Sequence, residues 1–129
     1  MFAKDIMTRD VITVSPTATV KNLAMTLIKN QISGAPVAAR NGKIIGVVSE
    51  ADIVAKKGKD VKTIMSKKII SVTEETAVEE IAKLMTTHGI KRLPVMRGES
   101  VVGIVSRADI VNAIALGKHV ALHTPVYDL

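Results

Sequence analysis

The chain has 129 residues, enough for one compact core, and it has no cysteine, which excludes disulfides, thiolate nucleophiles and cysteine-based zinc sites. Aromatic residues make up only 2% of the chain, which argues against a protein that stacks single-stranded bases on aromatic side chains. The net charge of +6 divides into +4 for residues 1–60 and +2 for residues 61–129, so anionic partners are favoured only in general.

One pattern of residues occurs twice along the chain. Lys4-Asp5-Ile6-Met7-Thr8 returns 58 positions later as Lys62-Thr63-Ile64-Met65-Ser66, and the similarity continues through both halves. We therefore expect two copies of one unit, residues 1–58 and 59–129. Because a single copy is small for an independent core, the two sheets are expected to pack together about a pseudo-twofold axis and to leave clefts for small molecules.

Each copy is expected to begin with a strand and a helix. The β-branched stretches 11–14 and 69–72 predict the first strand of each copy. Apolar residues that recur every three or four positions from Val20 and from Val78 then predict an amphipathic helix.

A hairpin and a second helix complete each copy. Asn41-Gly42 is a strong turn signal between two apolar runs, and Gly98 lies at the matching turn of the second copy. The last helix of each copy is expected to begin after Ser49 or Ser106, and the second one to extend to Leu122. The predicted fold is therefore α+β, with the order strand, helix, strand, strand, helix in each repeat.

The last helix of the second copy has apolar residues on more than one side, which indicates that a partner covers it. These residues are Ile110, Val111, Ala113, Ile114, Ala115, Leu116, Val120, Ala121 and Leu122.

A Ser-x-x-Asp segment stands where a strand meets the final helix in each copy, as Ser49 to Asp52 and as Ser106 to Asp109. One interpretation is a capping box, in which the serine oxygen accepts from a helix N–H and the aspartate lies in the first turn. The other interpretation is a nucleotide site, because such a helix end binds phosphate and a fixed carboxylate accepts the hydroxyls of a ribose.

Basic side chains occur before the hairpin in one copy only. Lys91 and Arg92 stand in the second copy where the first has Ser33 and Gly34. An arginine offers a planar fork to phosphate oxygens and a lysine offers a mobile point charge, so phosphate recognition is one use for this pair. The alternative is that both are ordinary exposed cations at a helix end.

Taken together, these motifs resemble the cystathionine β-synthase (CBS) domain, two of which form a Bateman module, and the resemblance covers nearly the whole chain. The matching segments are Asp5-Ile6-Met7-Thr8, Thr63-Ile64-Met65-Ser66, Ile90-Lys91-Arg92-Leu93-Pro94-Val95 and the two Gly-x-x-Ser-x-x-Asp segments. The resemblance implies a regulatory module that senses an adenine nucleotide, and a homodimer formed through the terminal helices.

The resemblance also implies roles for individual residues. Asp52 and Asp109 match ribose-binding positions, whereas Ser49, Ser106, Lys91 and Arg92 match phosphate-binding positions. The adenine surroundings match Ile12, Thr13, Pro36, Ile70, Ser71 and Pro94.

The first copy departs from this pattern at Ser33, Gly34 and Glu50, which leave it without the usual basic side chains. We therefore expect one phosphate-binding cleft and one that is weak, vacant or free of phosphate. Whether Arg92 serves the cleft of Asp109 or that of Asp52 stays open. Lys91 and Arg92 favour AMP or ADP as the ligand over ATP or S-adenosylmethionine.

Catalysis has little support, because no P-loop and no nucleophile beside a base occurs, so we expect a protein that is not an enzyme. His119 and His123 are spaced for a metal but have no third ligand, so no metal is expected. No signal peptide or membrane-spanning run occurs, which predicts a cytoplasmic protein. The alternatives are a ligand-free interaction module and a weak nucleic-acid binder, and the regulated protein is unidentified.

Overall fold

The computed structural model describes residues 1–117, and the chain divides into two compact units. The first-repeat unit is Val11–Ile69. The second-repeat unit joins Met1–Asp10 to the described residues from Ile70 to Gly117. The compact units therefore begin and end at other positions than the sequence repeats do.

The first-repeat unit contains one antiparallel hairpin and three helices. In chain order these are α2 (Val20–Asn30), β1 (Gly34–Ala38), β2 (Ile44–Ser49), α3 (Glu50–Ala55) and α4 (Val61–Ile64). Its buried core combines apolar residues of the hairpin, of α2 and of α4 with Val14, which precedes α2; the others are Leu23, Leu27, Ala35, Val37, Val48, Val61 and Ile64.

The second-repeat unit repeats this plan with a helix taken from the chain start. Its elements are α1 (Ala3–Ile6), α5 (Val78–His88), β3 (Arg92–Arg97), β4 (Ser100–Ser106) and α6 (Arg107–Ala115). The core again lies on one face of the hairpin, and its buried residues are Ala3, Met7, Val72, Val78, Ile81, Met85, Leu93, Val95, Val105 and Ile110. The predicted α+β class with a tandem repeat is confirmed.

The predicted first strand of each repeat is reduced to a single bridging residue. Val14 donates its N–H to the Pro36 carbonyl and accepts from the Ala38 N–H, and Val72 pairs with β3 in the same way. To extend toward the chain start, the parallel ladder would need a further backbone donor two residues before Ala38 and two residues before Met96. Those positions are Pro36 and Pro94. Proline has no N–H, so the ladder cannot extend toward 11–13 or 69–71.

A short helical segment completes each sheet on its other side. Thr8 exchanges two backbone hydrogen bonds with Ile104 of β4, and Ser66 does the same with Val47 of β2. Both segments bring a methionine against a strand glycine, because a Cβ on Gly103 would meet Met7 and a Cβ on Gly46 would lie 2.8 Å from the Met65 sulfur. Glycine is therefore required in β2 and in β4 for this close packing.

The chain start is also held to its unit by a surface ion pair. Lys4 Nζ lies 2.8 Å from Glu75 Oε1. This hydrogen bond and the charge of Glu75 raise the pKa of the Lys4 ammonium. Both side chains are exposed, so the pair orients the segment and adds little free energy of folding.

Helix α6 is shorter than predicted. It ends at Ala115, and Leu116 and Gly117 form a turn in which Gly117 has a φ of 76°. Glycine with positive φ is a common helix stop, because other residues are strained there. The extension to Leu122 is therefore wrong as a continuous helix. Val120, Ala121, Leu122, His119 and His123 lie outside the described residues. Within residues 1–117, no helix has the length and apolar composition needed to cross a bilayer.

Candidate functional site

Strand pairing places Arg92 beside Ser106 in the second-repeat unit. The two residues are direct partners in the β3–β4 ladder, so their side chains project from the same face of the hairpin. Pro94 follows two positions after Arg92 and shares that face. The alternate residues Leu93 and Val95 face the core and are fully buried. Three of the predicted ligand-binding residues therefore lie together on the face opposite the core.

The Ser106 to Asp109 segment forms a complete capping box at the start of α6. The Ser106 N–H donates to Asp109 Oδ2 at 2.8 Å, and the Asp109 N–H donates to Ser106 Oγ at 3.2 Å. The capping interpretation is thus confirmed for this segment. The same bonds fix the carboxylate and the hydroxyl at the N-terminus of a nine-residue helix, where the helix dipole favours an anion.

Lys91 reaches the same helix end through its backbone. Its carbonyl accepts from the Arg107 N–H at 2.9 Å, while its side chain is exposed. Arg92 is half-buried. The chain that enters β3 therefore lies against the first turn of α6, and two cationic side chains flank the capping box.

The first-repeat unit has the same backbone arrangement with different side chains. Gly34 is the ladder partner of Ser49, and the Ser33 carbonyl accepts from the Glu50 N–H at 2.9 Å. Pro36 is on the face of Gly34 and Ser49. Because Gly34 has no side chain, no guanidinium stands across from this serine.

Asp52 of the first repeat has a counterion that Asp109 does not share. The Ser49 N–H donates to Asp52 Oδ2 at 2.9 Å, and Lys56 Nζ lies 2.8 Å from Asp52 Oδ1. Lys56 also donates to the Ile64 carbonyl at 3.0 Å. In the sequence, Lys56 belongs to a lysine-rich run with Lys57, Lys59 and Lys62, a pattern that predicts a solvated surface between the repeats. Its spacing four residues after Asp52 on a predicted helix was the signal for this ion pair.

The predicted adenine-contacting residues lie just before the bridging valines. Val14 donates to the Pro36 carbonyl at 3.0 Å and Val72 donates to the Pro94 carbonyl at 3.1 Å, so both segments run beside a strand that carries a candidate proline. Thr13 and Ser71 are exposed, Ile70 is half-buried, and Ile12 is 36% exposed. Each unit therefore has apolar and polar surface next to its buried proline.

The described part of the chain has no cluster of side chains suited to bind a metal ion. Residues 1–117 contain no group of three or more histidine, aspartate or glutamate side chains placed to hold a metal ion. The two capping carboxylates are instead committed to serine N–H groups.

Comparison with known proteins agrees with this architecture. The CBS domain family model matches twice, over residues 3–58 and 61–116. The inosine-5'-monophosphate dehydrogenase of Methanocaldococcus jannaschii is 34% identical over 112 residues, which cover 84% of this chain and 23% of that enzyme. The chain thus spans about a quarter of that relative.

Two solved structures share the fold over most of their length. The CBS domain pair of protein MJ0100, in complex with 5-methylthioadenosine and S-adenosyl-L-methionine, has a TM-score of 0.86, is 30% identical and covers 92% of this chain and 98% of its own. CBSX2 in complex with AMP has a TM-score of 0.84, is 27% identical and has the same two coverages. With two family matches that together cover most of its length, the chain belongs to the CBS domain family as a tandem pair.

Proposed function

We propose that this protein is a regulatory module that binds an adenine nucleotide at the Ser106 to Asp109 segment of its second repeat. The observation that carries the proposal is the pairing of Arg92 with Ser106, which adds a guanidinium to a helix N-terminus that already holds a carboxylate. A nucleotide presents a ribose diol and a phosphate, and this combination of groups can bind both.

Ser106 and Asp109 each have unused hydrogen-bonding capacity suited to the proposed role. Ser106 Oγ accepts from the Asp109 N–H, so its own hydroxyl hydrogen is available to a phosphate oxygen. Asp109 Oδ2 accepts from the Ser106 N–H, and a carboxylate has about four acceptor positions, so Asp109 can accept both ribose hydroxyls as well. Arg92 and Lys91 supply the positive charge that neutralises the phosphate.

The base is proposed to lie against Ile70, Ser71 and Pro94. The buried Pro94 and the half-buried Ile70 offer apolar contacts to a purine, and the exposed Ser71 offers backbone polar groups to its edge. Ile12, Thr13 and Pro36 are the equivalent surface of the first repeat.

The solved relatives support an adenosine-containing ligand, since one is a complex with AMP and another a complex with 5-methylthioadenosine and S-adenosyl-L-methionine. We propose AMP or ADP for this chain, because Arg92 and Lys91 favour a phosphate over the cationic sulfonium of S-adenosylmethionine. ATP is the next alternative, since its adenosine makes the same contacts.

We further propose that the module regulates another protein as a cytoplasmic homodimer and is not an enzyme. Helix α6 exposes Val111 to 64% and Ile114 to 43%, and Leu116, which follows the helix, is 68% exposed. Large apolar groups exposed close together mark an association surface. Absence of cysteine suits a reducing compartment. If the dimer has two arrangements, a ligand would shift the equilibrium between them by no more than the difference between its binding free energies for the two.

Isothermal titration calorimetry with AMP, ADP, ATP, S-adenosylmethionine, adenosine and GMP tests the proposal. We expect AMP or ADP to bind and GMP to bind at least about tenfold more weakly, because the hydrogen-bonding edge of guanine differs from that of adenine. The absence of heat with every adenosine compound would contradict the proposal. A ligand-free interaction module or a weak nucleic-acid binder would then be tested by a salt-dependent shift assay.

A further inference from the structure

The two Ser-x-x-Asp segments of this chain differ in the contacts of the aspartate. Asp52 pairs with Lys56 Nζ and accepts from the Ser49 hydroxyl at 3.4 Å, whereas the Asp109 N–H donates to Ser106 Oγ. We infer that Lys56 occupies the carboxylate of Asp52 and thereby keeps a ribose out of the first repeat, so that the module takes up a nucleotide only at Asp109. This inference rests on the proposed function, because it explains why a nucleoside would bind in the second repeat and not in the first.

Lys56 contacts its partners through two separate hydrogen-bond acceptors. Its Nζ lies 2.8 Å from Asp52 Oδ1 and 3.0 Å from the Ile64 carbonyl, which belongs to the last residue of α4. A helix leaves its last carbonyls without an internal partner, so this bond satisfies an acceptor that would otherwise need water. Two of the three ammonium donors are therefore committed.

Both carboxylate oxygens of Asp52 already accept bonds. Oδ2 accepts from the Ser49 N–H at 2.9 Å and from the Ser49 hydroxyl at 3.4 Å, and Oδ1 accepts from Lys56 Nζ. The Asp52 side chain is 16% exposed and that of Lys56 is 45% exposed, so the carboxylate is largely shielded from solvent. A ribose hydroxyl that took the place of Lys56 at Oδ1 would exchange an ionic contact for a neutral one.

The second repeat has no equivalent of the Lys56–Asp52 ion pair among its described residues. The residue four positions after Asp109 is Ala113, which is buried at 3% exposure and has no charge. Among residues 1–117, no lysine, arginine or histidine nitrogen lies within ion-pair distance of Asp109. The same backbone thus carries a carboxylate paired with lysine in one repeat and, within residues 1–117, a carboxylate that accepts from the Ser106 N–H without an ion-pair partner in the other.

Two independent differences therefore favour the second repeat. Gly34 removes the guanidinium that faces the serine, and Lys56 fills the position that would accept the ribose. The first difference affects phosphate binding and the second affects nucleoside binding. Adenosine, which has no phosphate, isolates the second effect.

The experiment is calorimetric titration of the full chain with AMP and with adenosine, in the wild type and in an Asp109→Ala background that silences the second repeat. Lys56→Ala and Lys56→Met are added to that background to open Asp52. Lys57→Ala is the matched control, since it removes one exposed lysine charge from the next position. Thermal unfolding without ligand verifies that each variant folds.

We expect Asp109→Ala to bind adenosine weakly, and the Lys56 double variants to bind it about five- to tenfold more tightly than Asp109→Ala alone. Adding Asp52→Ala should abolish that gain, and the Lys57 control should show none. If the wild type binds AMP and Asp109→Ala loses it, but the Lys56 variants recover no adenosine binding or bind still more weakly, the inference is wrong and the proposed function stands. If neither the wild type nor any Lys56 variant binds, both are wrong.

Discussion

Arg92 and Ser106 are ladder partners across β3 and β4, and Gly34 and Ser49 are the corresponding partners in the first repeat. At this pair of positions, where the two hairpins have the same register, the second repeat has arginine in place of glycine. Because ladder partners lie on one face about 5 Å apart, the guanidinium is placed to reach an anion held by the serine.

Arg92→Ala should weaken AMP binding by about 10- to 100-fold and leave adenosine binding unchanged, because the guanidinium contacts phosphate and not the nucleoside. Calorimetric dissociation constants for the two ligands give the comparison. Arg40→Ala, which removes an exposed arginine in the turn before β2, is the control and should alter neither. Equal losses for AMP and adenosine would show that Arg92 shapes the site and does not bind phosphate.

Ser106→Ala should lower the free energy of unfolding by about 1 kcal/mol, since it removes the oxygen that accepts from the Asp109 N–H. Ser106→Thr should retain most of the stability, because the hydroxyl remains. Urea unfolding gives these values, with Ser100→Ala at the exposed start of β4 as the control. A stable Ser106→Ala variant would contradict the capping role of the hydroxyl.

Gly103→Ala should destabilise the protein by about 1 to 3 kcal/mol, because its new Cβ would overlap the Met7 side chain. When Met7→Ala is added, the double variant should lose less free energy of unfolding than the sum of the losses of the two single variants. Gly46→Ala should not be rescued by Met65→Ala, since the Ser66 carbonyl would still lie 2.7 Å from that Cβ. Equal rescue in both repeats would contradict the packing described for the two glycines.

Ile114→Glu should convert the proposed dimer into a monomer, because a carboxylate would have to be buried in an apolar contact. Asn112→Glu on the same helix is the control, as that exposed side chain is already polar. Light scattering after size-exclusion chromatography measures the molecular mass. A wild type that is monomeric at micromolar concentrations would exclude association through α6.

Local patterns were sufficient to predict the tandem α+β fold. The 58-residue repeat, the apolar spacing from Val20 and Val78 and the Asn41-Gly42 turn all correspond to elements of the structure. The first strand of each repeat is shorter than predicted. Its β-branched residues favour a strand, but Pro36 and Pro94 have no N–H to donate to it from the neighbouring strand. The length of such a strand depends on which residues pair with it, and pairing is not a local property of the sequence.

In the candidate site, too, the local features could be predicted from the sequence and those that depend on pairing could not. The Ser-x-x-Asp segments were visible because capping is a short-range interaction, but the opposition of Arg92 and Ser106 required the β3–β4 register. Lys56 was missed because the lysine run around it suggested a solvated surface. Its bond to Ile64 joins the C-cap of α3 to the last residue of α4, eight positions further along the chain, which no helical spacing predicts.

The most direct test of the central claim is the rise in melting temperature that AMP produces in the wild type, in Asp52→Ala and in Asp109→Ala. Each rise is taken relative to the same variant without ligand, because Asp109 also stabilises α6. At about 100 times the dissociation constant, bound AMP should add about 2.7 kcal/mol of stability. We expect this rise in the wild type and in Asp52→Ala and its loss in Asp109→Ala. A rise that persists in Asp109→Ala and disappears in Asp52→Ala would contradict the account.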